Sequence, residues 1–285
     1  MKKTRKTIIW TTAAAVCLMA AFILFQNRML AGIQSPYAAL MERDGEKIIA
    51  QKKGGRRIYP ASMTKIMTCL VALEQVSDLD RRVIMEDSMI RTAKEQGASL
   101  AGFEPGESVS IRDLLYGMML PSGAECCLRI SKYLEGSEEK MAELMNQKAE
   151  ILGMDHTHFV NTTGLHDDDH YTTAEDMAVL LDAALDREDF REIFTVMSWR
   201  TSPSNFHPSG MVLKSTLYNY RDDLQLEEGE FLGGKTGHTS RAGLCLASLA
   251  RIKGKEYILV TAGADEDMDG NPWYIADAEK IYGNL

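Results

Sequence analysis

The chain has 285 residues, 45% hydrophobic, 26% charged and 7% aromatic, which is enough apolar material for a sizeable core and excludes disordered, collagenous and disulfide-scaffold classes. The net charge of −9 is unevenly spread: residues 1–28 hold Lys2, Lys3, Arg5, Lys6 and Arg28 with no acid, and the remainder carries 27 basic against 41 acidic side chains. A body at −14 repels phosphate backbones and anionic lipid surfaces, and no Lys/Arg run interleaved with aromatics offsets it, so no nucleic-acid partner is expected.

In chain order, four cations within the first six residues precede an apolar run, Ile8 to Phe25, interrupted only by Thr11 and Thr12. That run is long enough to span a bilayer, and no small-x-small cleavage site follows it. Residues 1–29 therefore read as a cytoplasmic basic tail and an uncleaved N-terminal membrane anchor, with a cleaved signal peptide and a secreted body as the alternative. By the positive-inside rule, residues 30–285 lie outside the cytoplasmic membrane. Of the five cysteines, Cys17 sits in the apolar run, and Cys69, Cys126, Cys127 and Cys245 lack C-x2-C metal spacing. A bridge from Cys69 to Cys126 or Cys127 stays open.

The body opens with strands Tyr37 to Glu42 and Lys47 to Gln51 around Asp44-Gly45, a hairpin dipeptide. From Ser62 the pattern turns helical, with Met63, Ile66, Met67, Leu70, Val71 and Leu73 at three- and four-residue spacing. Further helices are predicted over 112–119, 122–134 after Pro121, 137–152 closed by Gly153, and 173–185 opened by Thr173 with Asp176 three residues on. Ala242 to Arg251 and Glu256 to Ala262 are predicted strands joined through Lys253-Gly254, and 273–282 a closing helix. Strands at both ends of the body can pair, which predicts an α+β fold: an antiparallel sheet flanked by helices, with a mostly helical middle. No internal repeat is visible, and the seventeen methionines read as core filler.

Three short motifs carry chemistry. In Ser62-Met63-Thr64-Lys65, hydroxyl and amine project from one face of a helix start, where an amine with a lowered pKa can activate the serine and helix N–H groups can face an oxyanion. Ser137-Glu138-Glu139-Lys140 has the same spacing in an acidic, exposed helix start and is given no role. Pro121-Ser122-Gly123 places a serine at a helix start, where N-capping is the plain reading. Lys235-Thr236-Gly237 follows Gly233-Gly234 at the start of a predicted edge strand; its cation and hydroxyl can hold a carboxylate, and Gly237 lets backbone approach a substrate. His156, His158, His166, Asp167 to Asp169 and His170 are a dense group of ligand types, read as a polar loop rather than a metal site.

Ser62-x-x-Lys65, Leu120-Pro121-Ser122-Gly123 and Lys235-Thr236-Gly237-His238-Thr239, in that order, resemble the serine-type D-alanyl-D-alanine carboxypeptidases, the low-molecular-mass penicillin-binding proteins of the β-lactamase/transpeptidase-like superfamily. Pro105-Gly106-Glu107 with Ile111 to Leu115, Leu152-Gly153-Met154 running to Asn161 and Gly164-Leu165, and His170 to Ala174 with Asp176-Met177-Ala178 resemble the same family, over roughly residues 35–280. The resemblance implies a bacterial enzyme that removes the terminal D-alanine from peptidoglycan stem peptides, with Ser62 acylated, Lys65 its base, Ser122 relaying a proton, and Lys235 supporting it electrostatically. It implies that Thr236 binds the terminal carboxylate, that Gly237 and His238 line the substrate strand, and that the N–H groups of Ser62 and His238 form the oxyanion hole. β-Lactam antibiotics are implied ligands; no cofactor or metal is. Tethering is expected from the N-terminal anchor instead of the C-terminal β-rich domain and amphipathic tail of many relatives.

The sequence departs from the family's Ser-x-Asn motif, reading Ser122-Gly123-Ala124, and no Asn in the chain has a Ser two residues before it. The missing amide would bond substrate and the active-site lysine; Ala124 leaves those partners to water or to another side chain such as Glu125. The departure motivates a second expectation, a catalytically weak or inactive homologue that binds wall peptides. A β-lactamase would further need a base for deacylation, which the sequence does not offer.

Overall fold

A computed structural model of the protein describes residues 28–45 and 47–285. The apolar run 8–25 lies outside the described residues, and among those described no helix is long and apolar enough to cross a membrane. The elements are, in order, β1 (Tyr37–Glu42), β2 (Lys47–Lys52), α1 (Thr64–Gln75), β3 (Arg82–Ile84), α2 (Asp87–Glu95), β4 (Ser108–Ser110), α3 (Ile111–Met119) and α4 (Ala124–Glu135). They continue with α5 (Glu138–Ile151), α6 (Ala174–Leu185), α7 (Glu188–Thr195), β5 (Ser198–Arg200), β6 (Val212–Lys214), β7 (Gly229–Thr239), β8 (Gly243–Ile252), β9 (Lys255–Ala264) and α8 (Trp273–Gly283).

The two ends of the body meet in a five-stranded sheet of order β2-β1-β9-β8-β7, antiparallel throughout, with β7 at one edge. This is the expected α+β architecture, and it explains why β8 and β9 read as nearly continuous apolar runs: both faces of the sheet are covered. Ala39, Met41, Ala247, Leu249, Ile258 and Val260 face the core shared with α1 to α7, while Ala38, Leu40, Leu246, Ala250 and Leu259 face α8 and Met29, Leu30 and Ile33. Side chains one residue apart thus enter different cores, as the period of two in a strand requires.

Helix α1 lies inside the larger core, with every residue from Thr64 to Leu73 buried. Helices α5 and α6 begin as their sequence signals predict: Ser137 Oγ accepts the Lys140 N–H, and Thr173 Oγ1 accepts the Asp176 N–H. Helices α2 and α7 and the short pairs β3–β4 and β5–β6 have no counterpart in the sequence reading, because three-residue strands and eight- or nine-residue amphipathic helices carry too few periods to stand out; the edge strand expected from Lys235 is β7, which begins earlier, at Gly229. Strands β1 and β2 pair antiparallel around Asp44-Gly45 as expected, and their connection includes a short 3-10 segment, Arg43–Gly45, with a bulge between Leu40 and Met41. Cys69, Cys126, Cys127 and Cys245 are buried free thiols.

The first described residues are fastened to α8. Asp277, 2% exposed, accepts the N–H groups of Gln34 and Ser35 at 2.8 and 2.7 Å, and Asn284 donates to the Met29 carbonyl at 3.1 Å. Asp277→Ala leaves two N–H groups unpaired beneath the helix and is expected to lower unfolding stability by about 2–3 kcal/mol, read by urea titration, with Asp277→Asn losing less.

Candidate active site

Ser62 sits in a 3-10 turn, Ala61–Met63, immediately ahead of α1. The turn is strained: Ala61 has φ +46°, a left-handed value that L-residues avoid. It persists because two backbones press on it. A Cβ on Gly164 would collide with the Ala61 carbonyl, and one on Gly237 would stand 3.0 Å from the Ser62 nitrogen. The approach that Gly237 permits is therefore of β7 to the serine turn, whereas the sequence reading assigned it to a substrate.

In the first turn of α1, Lys65 places its Nζ 3.0 Å from Ser62 Oγ and 2.5 Å from the Thr163 carbonyl. Lys65 is 2% exposed, and burial lowers its pKa against the weaker, opposing pull of Cys127 and Glu125. Across the cleft, Lys235 lies within β7, not at a strand start, and is fully buried. Its Nζ donates to Ser122 Oγ and to the Thr236 carbonyl, both at 2.9 Å. Burial pushes its pKa well down, and the charge of Lys65 adds to this. Ser122 does not cap a helix: α4 starts at Ala124 with Gly123 as its N-cap, and Ser122 takes a left-handed φ of +66° that turns its hydroxyl to Lys235.

Four predicted catalytic residues thus form two amine–hydroxyl pairs, Lys65–Ser62 and Lys235–Ser122. A cleft of about 380 Å³ joins them, lined by Ser62, Ser99, Ser122, Thr236, Gly237 and His238, with Thr216, Tyr220 and Tyr274 further along. Thr216 and Thr236 pair their hydroxyls at 2.6 Å. A smaller hollow of about 80 Å³ continues the cleft past Lys65 to Thr163, Leu165 and Thr239. A cavity of about 390 Å³ between the 225–228 loop and α8 has no buried amine or serine in its lining.

A buried amine with a lowered pKa beside a serine on a strained turn is the arrangement of an acylable nucleophile. The family model of D-alanyl-D-alanine carboxypeptidases matches residues 26–266. The chain belongs to the D-alanyl-D-alanine carboxypeptidase family. The D-alanyl-D-alanine carboxypeptidase DacF of Bacillus subtilis is 33% identical over 82% of this chain and 58% of its own length. DacC of Escherichia coli is 30% identical over 80% of this chain and 56% of its own. The chain therefore spans less than three-fifths of the length of these two relatives. A D-alanyl-D-alanine carboxypeptidase structure from Mycobacterium tuberculosis has the same fold, at TM-score 0.78 and 24% identity over 90% of this chain and 92% of that one.

Against the family's Ser-x-Asn motif, Ala124 is fully buried at the start of α4 and its N–H donates to the Ser99 carbonyl. Glu125 does not take the amide's place beside Lys65. Its Oε1 accepts the N–H groups of Ala101 and Gly102 at 2.7 and 3.2 Å, while Oε2 is buried without a partner. Burial raises the Glu125 pKa, against those two N–H groups. The carboxyl thus clamps the 99–102 loop, part of the cleft wall, and Lys65 is held by the Thr163 carbonyl instead. Ser99, Thr163 and Thr216 were missed in the sequence, since a carbonyl ligand and isolated loop hydroxyls have no motif; only Gly164-Leu165, beside Thr163, was marked.

The histidine-rich loop folds as a frame, and among the described residues no group of three His, Cys, Asp or Glu is placed to hold a metal ion. His170 is 2% exposed; its Nδ1 accepts the Val160 N–H at 3.1 Å, so Nε2 carries the proton and donates to Thr64 Oγ1 at 2.8 Å. Burial lowers its pKa to about 4. The unfolded chain then binds a proton that the folded one refuses between pH 6.5 and about 4, and stability falls as pH drops through that window. The loss approaches about 3 kcal/mol at most. Thermal melts of the protein from pH 7 to 4 are expected to fall more steeply than those of His170→Gln.

Proposed function

We propose that the protein is a serine DD-carboxypeptidase that trims the terminal D-alanine from peptidoglycan stem peptides through an acyl-enzyme on Ser62. The observation that carries this reading is the Lys65 amine, buried, lowered in pKa and 3.0 Å from Ser62 Oγ. Neutral Lys65 takes the Ser62 proton as Oγ attacks the penultimate D-alanine carbonyl. The oxyanion faces the N–H groups of Ser62 and of His238, the residue that follows the Gly237 packed on the serine turn. Ser122, bonded to Lys235, gives its proton to the departing D-alanine nitrogen as it takes the one Lys65 received; water then attacks the acyl carbonyl, loses its proton to the again neutral Lys65, and the shortened peptide leaves as Ser62 Oγ takes that proton back. Thr236, with Thr216, receives the terminal carboxylate. Penicillin, whose β-lactam carbonyl and thiazolidine carboxylate stand in similar relation, acylates the same serine. Residues 8–25 anchor the body on the outer face of the cytoplasmic membrane.

Ala124 supports a second reading, a wall-peptide binder with slow or no turnover. Loss of one preorganised amide costs on the order of 3 kcal/mol, about a hundredfold in rate. Intact mass of residues 28–285 after penicillin, with D-alanine release from a diacyl-Lys-D-Ala-D-Ala peptide, separates the two. Adduct plus release is the expected outcome; an adduct without release favours the binder, and a folded protein with no adduct overturns acylation at Ser62 and leaves the inactive binder. Ser62→Ala should give no adduct. Because only unprotonated Lys65 serves as base, acylation should accelerate as pH rises through the lowered lysine titration, and Lys65→Arg, which stays charged, should lose at least about a hundredfold.

A further inference from the structure

The cleft has a direction. Thr236 and Thr216 lie toward Tyr220 and Tyr274, and the opposite end runs out past Leu165 and Thr239. With a terminal carboxylate at the first end and the scissile carbonyl at Ser62, the residue preceding the D-alanine pair leaves through the second. His166 and Asp168 follow Leu165 in the chain and Arg241 follows Thr239 by two residues, and together they form a polar cluster that the proposed mechanism does not use. Asp168, with its side chain 80% exposed, has three neighbours on one oxygen, Oδ1: the Tyr59 hydroxyl donates at 3.3 Å, His166 Nε2 lies at 3.5 Å and Arg241 Nη2 at 3.9 Å. The loop beneath is fixed, since Arg57 stacks on the Tyr171 ring at 3.8 Å and donates to the Asp168 carbonyl, and Tyr59 packs edge-on against His166 at 4.7 Å. Among the described residues the acid that meets Arg241 is Asp168, at 3.9 Å, and the arginine side chain is 62% exposed.

We infer that this rim is the subsite for the side chain of the stem residue that precedes the D-alanine pair, and that it selects a zwitterionic end. That residue is a diamino acid whose free end carries either an ammonium alone, as in lysine, or an ammonium beside a carboxylate, as in diaminopimelate. Asp168 through Oδ2 matches the ammonium of both. Arg241, loosely held, matches only the carboxylate, with the bidentate geometry that guanidinium offers. The inference rests on the proposed orientation of the stem peptide at Ser62.

The test compares Nα-acyl-Lys-D-Ala-D-Ala, its side-chain amine free, with Nα-acyl-diaminopimelyl-D-Ala-D-Ala. D-Alanine release is followed on the wild type, and calorimetric binding on Ser62→Ala, which needs no turnover. A preference of about tenfold for the diaminopimelyl peptide is expected, the worth of one charge-assisted contact. Arg241→Ala should erase it while leaving the lysine peptide and penicillin labelling unchanged, and Arg241→Glu should reverse it. Equal binding of the two peptides to Ser62→Ala, or an equal loss for both in Arg241→Ala, overturns the subsite whatever the catalytic assay gives. A wild type that forms no penicillin adduct yet ranks the peptides as expected would instead overturn the proposed reaction and keep the subsite.

Discussion

Two lysine amines buried with hydroxyl and carbonyl oxygens as their hydrogen-bond partners are the constraint on which the rest of this structure depends. Neither Lys65 nor Lys235 has a carboxylate within ion-pair distance among the described residues, and the groups nearest each are Ser62, Thr163, Ser122 and Thr236. Burying an ammonium without a counter-ion is costly, and the protein meets that cost by disfavouring the proton. The same desolvation that lowers stability favours the neutral amine, the form that can act as a base. An apolar body on both sides of the sheet supplies the favourable burial that offsets it, and explains why α1, which carries Lys65, is enclosed on every side.

The surrounding backbone follows from the need to hold those amines against two serines. Ala61 and Ser122 both take left-handed conformations at positions next to or within the site, and each is a local cost sustained by neighbours. Gly164 and Gly237 are the residues that let two separate segments close on the Ser62 turn. Edge strand β7 contributes Lys235 to the interior while Thr236 and Gly237 remain along the cleft, so one strand serves both the electrostatics and the substrate wall.

The missing amide of the middle motif is accommodated by a changed division of labour. Ala124 gives its place to helix packing, Glu125 turns away to clamp the 99–102 loop, and the Thr163 carbonyl takes up the lysine contact. The 99–102 wall of the cleft is thus fixed by a buried carboxyl four residues after Pro121, an arrangement with no counterpart in a spacing pattern.

The amino-acid order by itself determined the sheet's paired terminal strands, the long helices with their Ser137 and Thr173 caps, the two lysine-bearing motifs and the family, because each rests on local periodicity, capping or a contiguous motif. Helices α2 and α7 and the three-residue strands escaped it, being too short for their period to register. Only the tertiary structure decided that Ser122 is bonded to Lys235 and is not a helix cap, that Gly237 serves the serine turn, that Glu125 misses Lys65, and that His170 braces Thr64. Those outcomes depend on contacts across about a hundred residues of chain, such as Lys235 with Ser122, and on how far burial removes water from an amine. Neither quantity is written in the spacing of residues along the chain.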